Sequence, residues 1–94
     1  MNVFNYKLDS TVLTTSYIIS DRLPILLVFH DNDDSGIAWQ FHAGNGDYSE
    51  DKLKLVSLGQ ILAIDPTISQ LGNLPLGYKA VRKSINDRWE YLPQ

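Results

Sequence analysis

The chain has no cysteine. This excludes disulfides, zinc–thiolate centres and thiol nucleophiles, and it suits a reducing compartment. Basic residues are few: eight Lys and Arg stand against eleven Asp and Glu, for a net charge of -3 and a pI of about 5.1. Nucleic acid is therefore a poor match, because binding it needs a basic patch on a basic domain. Long apolar runs are missing as well. The longest candidate, Leu23 to Phe29, has seven residues and contains Pro24; a membrane span needs about 18. No basic segment leads into an apolar stretch and a small-residue cleavage site near the first residue, so no secretory signal is read.

What is present is the composition of a globular protein. Hydrophobic residues make up 44% and charged residues 20% of 94 residues. That argues against disorder and for one domain over residues 1–94. The charge is unevenly spread. Between Asp31 and Asp51 there are six acids (Asp31, Asp33, Asp34, Asp47, Glu50, Asp51) and no Lys or Arg; from Lys52 onward six basic residues face three acids. Charge usually falls on solvated loops. The sharper reading is an acidic surface that steers a basic partner, with the two loops flanking the Trp39 strand placing these acids at one end of a sheet.

Residues 1–15 carry the weakest signal. Val3, Tyr6 and Leu8 fit a short edge strand or an N-terminal arm. Ser16 to Ser20 and Pro24 to Phe29 read as strands from their β-branched and aromatic content. Ile37 to Ala43 alternates, with Ile37, Trp39 and Phe41 on one face. Ser57 followed by Gln60 fits a capping box, and Leu55, Leu58, Ile61 and Leu62 form a helical stripe. Asp65-Pro66 starts a second short helix with Ile68 and Leu71 inside, which Gly72-Asn73 ends. Tyr78 to Ser84, a turn at Asn86-Asp87, and Trp89 to Leu92 read as a hairpin. The expected fold is α+β: a mainly antiparallel sheet with one or two short helices packed on one face.

Several of these segments follow one another in a recognisable order. Asp34-Ser35-Gly36, Trp39-Gln40-Phe41, and Gly44 with an acidic stretch to Tyr48 come first. Leu58 to Ile64, Asp65-Pro66-x-Ile68, Leu71, Leu74-Pro75-x-Gly77 and Arg82 follow. The order resembles immunity protein family 33 of bacterial polymorphic toxin systems, over roughly residues 16–90. Two features depart from the family pattern: Ile37-Ala38 separates Ser-Gly from Trp39, and the preceding strand is the apolar Ile25-Leu26-Leu27-Val28-Phe29. The resemblance implies a cytoplasmic protein that binds and neutralises a toxin domain. It carries over no catalytic residues.

Other chemistry is weakly represented. Asp31, Asp33, Ser35 and Gly36 match the first half of an EF-hand loop, but position twelve is His42 where calcium needs a bidentate Glu. His30 and His42 are the only histidines, and a twelve-residue separation is no known zinc-ligand spacing. No Gly-x-Ser-x-Gly elbow activates a serine, and Gly44-Asn45-Gly46-Asp47 lacks the Lys and glycine spacing of a phosphate loop. The expectation is a non-enzyme with no cofactor and no metal. The alternative is a small regulatory or ligand-binding domain with Trp39, Phe41, Tyr78 and Trp89 around a pocket, although aromatics at strand positions are more often core.

Overall fold

The structure is a computed structural model that describes residues 7–31, 36–47 and 49–94. Val3, Tyr6, Asp33, Asp34, Ser35 and Tyr48 lie outside the described residues. Six strands form one sheet: β1 (Thr11–Thr15), β2 (Leu27–His30), β3 (Trp39–His42), β4 (Leu53–Ser57), β5 (Tyr78–Val81) and β6 (Glu90–Pro93), in the order β4-β1-β3-β2-β5-β6. β1 and β3 are parallel, and every other neighbouring pair is antiparallel. Two α-helices, α1 (Ser16–Ile19) and α2 (Leu58–Ile64), a 3-10 helix (Pro66–Leu71) and a short 3-10 turn (Glu50–Lys52) complete this α+β fold. No helix among the described residues is long and apolar enough to cross a membrane.

The helices lie on one face of the sheet. Strand side chains alternate between faces, and register places Val12, Trp39, Phe41, Val28 and Ala80 on the same one. Leu58 and Ile61 of α2 and Ile68 and Leu71 of the 3-10 helix join these residues in a single core, each with no exposed surface. The connection must cross this face because it leads from the edge strand β4 to β5, on the far side of β1, β3 and β2. Its two starts are set locally. Ser57 Oγ accepts from Gln60 N at 3.1 Å, and Asp65 Oδ1 accepts from Thr67 N at 3.0 Å with Pro66 in the first position. Both caps satisfy backbone donors that a helix start leaves free.

Three local expectations are corrected. Thr11–Thr15 is neither an arm nor an edge strand: it lies between β4 and β3, with Val12, Thr14 and Thr15 buried. Ser16–Ile19 is a single helical turn instead of a strand. Ser20 N donates to Ser16 O at 2.8 Å, and the turn drives Ile18 into the core, so tertiary burial overrides the β preference of Tyr17, Ile18 and Ile19. Leu55 belongs to β4, paired with Leu13, and is 63% exposed. The helical stripe begins at Leu58 instead.

Candidate interaction surface

The acidic segment is divided by the strand it contains. β2 ends at His30 beside Trp39, where β3 begins, and Asp31 N continues the ladder by donating to Ala38 O at 2.9 Å. Asp31 therefore sits at the upper end of the sheet, where its carboxylate accepts from Gln94 Nε2 at 2.6 Å. β3 then runs four residues to His42, roughly 13 Å at about 3.3 Å per residue. Asp47, Glu50 and Asp51 come after it, at the lower end, where β4 begins. The expectation that both loops place their acids at one end is thus overturned, because one traverse of a strand separates its flanking loops by the length of the sheet. Asp33 and Asp34 fall outside the described residues.

The lower acids differ in their ties. Asp47 is held from two sides: Tyr17 Oη donates to Oδ2 at 2.5 Å, while Ser49 N and Oγ donate to Oδ1 at 3.0 and 2.5 Å. The Ser49 and Tyr17 bonds keep its carboxyl ionised down to about 2. The same Asp47 bond, with burial and the charges of Asp47, Asp21 and Asp51, raises the Tyr17 phenol above its ordinary value. Lys52 Nζ lies 5.7 Å from the centre of the Tyr17 ring. Glu50 and Asp51, in the 3-10 turn Glu50–Lys52, are exposed. Asp47 thus closes a corner of the fold, whereas Glu50 and Asp51 face solvent.

This corner has a two-sided pH signature. A carboxyl with a lowered folded pKa stabilises the fold above its unfolded value near 4, and loses that contribution as pH falls toward about 2. A phenol with a raised folded pKa contributes below about pH 10 and loses it as pH rises through the folded value. In NMR titrations the Asp47 carboxyl is expected to titrate near 2, and Asp47→Asn is expected to bring Tyr17 back toward about 10. A Tyr17 titration unchanged by Asp47→Asn would show that the pairing does not form in solution.

The two histidines point to opposite faces. His30 pairs with Trp39 in register and His42 with Leu27, so alternation along β2 and β3 sends their side chains apart. The Leu74 carbonyl can only accept, so His30 Nδ1 carries the proton in their 2.6 Å hydrogen bond, and the ring stacks on Trp39 with centroids 3.9 Å apart. His42 is 2% exposed, lies beside Phe29 and Gln40, and burial lowers its pKa. The pair therefore does not converge on one ion. No group of three metal-ligating side chains occurs among the described residues.

The aromatic residues are also split. Trp39 and Phe41 are buried in the core, while Trp89 covers the Arg82 guanidinium at 4.1 Å, at the other end of the sheet. Tyr78 and Trp89 are partly buried and pack against the core that contains Trp39 and Phe41. A groove of about 740 Å³ lies elsewhere, between Arg22, Leu23, Pro24, Ile64 and Ile85.

Sequence reasoning missed the tie between Asp65 and Arg82. Arg82 Nη2 donates to Asp65 Oδ2 at 2.7 Å, Nη1 to Thr67 Oγ1 at 3.0 Å, and Nε to Ile25 O at 3.0 Å. The two side chains are 1% and 5% exposed. The Leu74-Pro75-x-Gly77 segment clamps His30 in a similar way. Besides the Leu74 bond, Gly77 N donates to His30 O at 2.8 Å, and Gly77 adopts a φ of 83° that a side chain would strain. No protein-family model matches the chain, and neither the curated proteins nor the solved structures hold a match to it.

Proposed function

We propose that the protein is a non-catalytic interaction protein, a bacterial immunity protein that binds and neutralises a toxin domain in the cytoplasm. The observation that carries this reading is how the residues behind the resemblance pack together. Asp65 binds Arg82, Ile68, Leu71 and Leu74 enter the core, and Leu74 and Gly77 hold the histidine that stacks on Trp39. Each signal alone is a common turn or helix start. Their mutual contacts support reading the ordered set as the signature of one fold.

The toxin-binding residues in this reading are the acids Asp31, Asp33, Asp34, Asp47, Glu50 and Asp51. Acidic groups aimed at a basic cleft raise association rates by roughly 10- to 1,000-fold at low salt. The test is to find a neighbouring gene with a toxin-like C-terminal domain and to use that domain in inactivated form. The variant changes Asp31, Asp33, Asp34, Glu50 and Asp51 to Asn or Gln and keeps Asp47, whose bonds hold the Tyr17 corner. It is expected to associate at least about 10-fold more slowly, with a flatter salt dependence. Unchanged kinetics would remove the acids from the interface. Failure of the wild-type chain to bind or protect would remove the immunity role and favour a small-ligand domain built around the Leu23–Ile64 groove.

A further inference from the structure

The groove between α1, α2 and the turn before β6 involves none of the six acids. Chain segments at the lower end of the sheet converge on it: α1 follows β1, residues 22–25 lead toward β2, and Ile85 lies between β5 and β6. Ile18 and Ile25 line it and belong to the core. Leu23, Ile64 and Ile85 stand around it and are all exposed. Three exposed large apolar side chains on one hollow of about 740 Å³ form a concave apolar patch. Its volume falls in the range of small-molecule sites.

The polar groups of the groove say what a ligand must carry. Asp65 lines it, but both carboxylate oxygens are engaged, Oδ1 by Thr67 and Oδ2 by Arg82. Its charge is thereby matched. Arg22 and Gln60 also line the groove, and neither side chain has a partner among the described residues. Ser57 Oγ caps the Gln60 N–H, yet the Gln60 amide does not reach back to complete the capping box. An unpaired guanidinium fork and a free amide suit a carboxylate, whose two oxygens accept several hydrogen bonds at once. The acids Asp21, Asp47, Glu50 and Asp51 do not line the groove.

The backbone adds an independent observation. Leu23 N donates to Tyr17 O at 2.9 Å, closing α1 through a turn in which Arg22 has a φ of 58°. Glycine is the usual residue at the left-handed position of such a helix end. Arg22 is the one non-glycine residue with positive φ among the described residues. The chain thus holds a long cation where the backbone favours glycine, and strain of this kind gathers at ligand-binding positions.

We propose that this groove binds a small carboxylic acid with an apolar body. Arg22 and Gln60 hold the carboxylate, and the apolar body lies over Ile18 and Ile25 between Leu23, Ile64 and Ile85. The proposal goes beyond the immunity reading and does not depend on it, and its test contains no toxin.

The experiment titrates the full chain with octanoate, octan-1-ol and octylammonium, followed by amide NMR. Octanoate is expected to give saturable shifts at residues 18–25, 60–65 and 85, with a Kd on the order of 1 mM for a ligand of this size. The alcohol and the ammonium ion are expected to bind at least about 10-fold more weakly, because neither offers Arg22 a charged acceptor. Arg22→Gly removes the cation and relieves the backbone together. Its melting temperature is expected to hold or rise while octanoate binding weakens at least about 10-fold. Wild-type octanoate affinity in Arg22→Gly would overturn the role of Arg22. Equal affinity for acid and alcohol, a comparison that needs no variant, would overturn the carboxylate assignment. Shifts scattered over the sheet, or none at about 10 mM octanoate, well above the expected Kd, would overturn the site itself.

Discussion

Arg82→Met is expected to cost about 3–5 kcal/mol, because it strands a buried carboxylate. Arg82 and Asp65 are 1% and 5% exposed, so water cannot replace the lost partner. The cation also binds Ile25 O and Thr67 Oγ1, which ties the approach to β2 to the start of the 3-10 helix. Trp89 lies over its guanidinium at 4.1 Å, a contact that strengthens when the cation is desolvated. Lysine does not restore this arrangement, since a point charge with three donors has neither the planar fork nor the stacking face. Urea denaturation is therefore expected to show large losses for Arg82→Met and Asp65→Ala, a partial rescue by Arg82→Lys, and strong non-additivity in the double variant. Additive losses in the double variant would mean that the two groups act separately.

Trp39→Ala is expected to cost a similar 3–5 kcal/mol, through lost burial and the cavity left behind. Trp39 is 2% exposed, stacks on His30 at 3.9 Å and lies 6.1 Å from Phe41. Removing the indole also frees the ring that Leu74 O holds, so the loop into β5 loosens with it. Domains of this size have total stabilities of about 5–15 kcal/mol, and each kcal/mol shifts the melting temperature by about 4–8 °C. A fall of at least about 12 °C is expected, with Trp39→Phe falling less because it keeps a ring in the site. An unchanged melting temperature in Trp39→Ala would contradict the burial of Trp39.

The elements legible in the sequence are those whose physics is local. Trp39 and Phe41 alternate with Gln40 and His42, so their common face follows from the pleat. The caps at Ser57 and Asp65 are read within three residues, and the structure shows both hydrogen bonds. Thr11, Val12, Thr14 and Thr15 are β-branched, a local preference that agrees with the strand they form. Leu55 could not be assigned from spacing, because it fits a helical stripe with Leu58 and Leu62 and an alternating strand with Leu53 equally well. The Ser16–Ile19 turn was not legible at all: its residues prefer strand, and it is helical because Ile18 has a core to enter.

The sequence by itself determined the composition class, the two helix starts, the buried face of the Trp39 strand and the presence of six acids within one segment. Tertiary structure alone decided the strand order β4-β1-β3-β2-β5-β6, and through it the end of the sheet that Asp31, Asp47, Glu50 and Asp51 each occupy and the face left uncovered by helices. The reason is range. A cap or an alternation is settled by neighbours a few positions away, whereas Arg82 finds Asp65 across 17 residues and His30 finds Leu74 across 44. Such pairings depend on which strands lie side by side, and no local pattern encodes that.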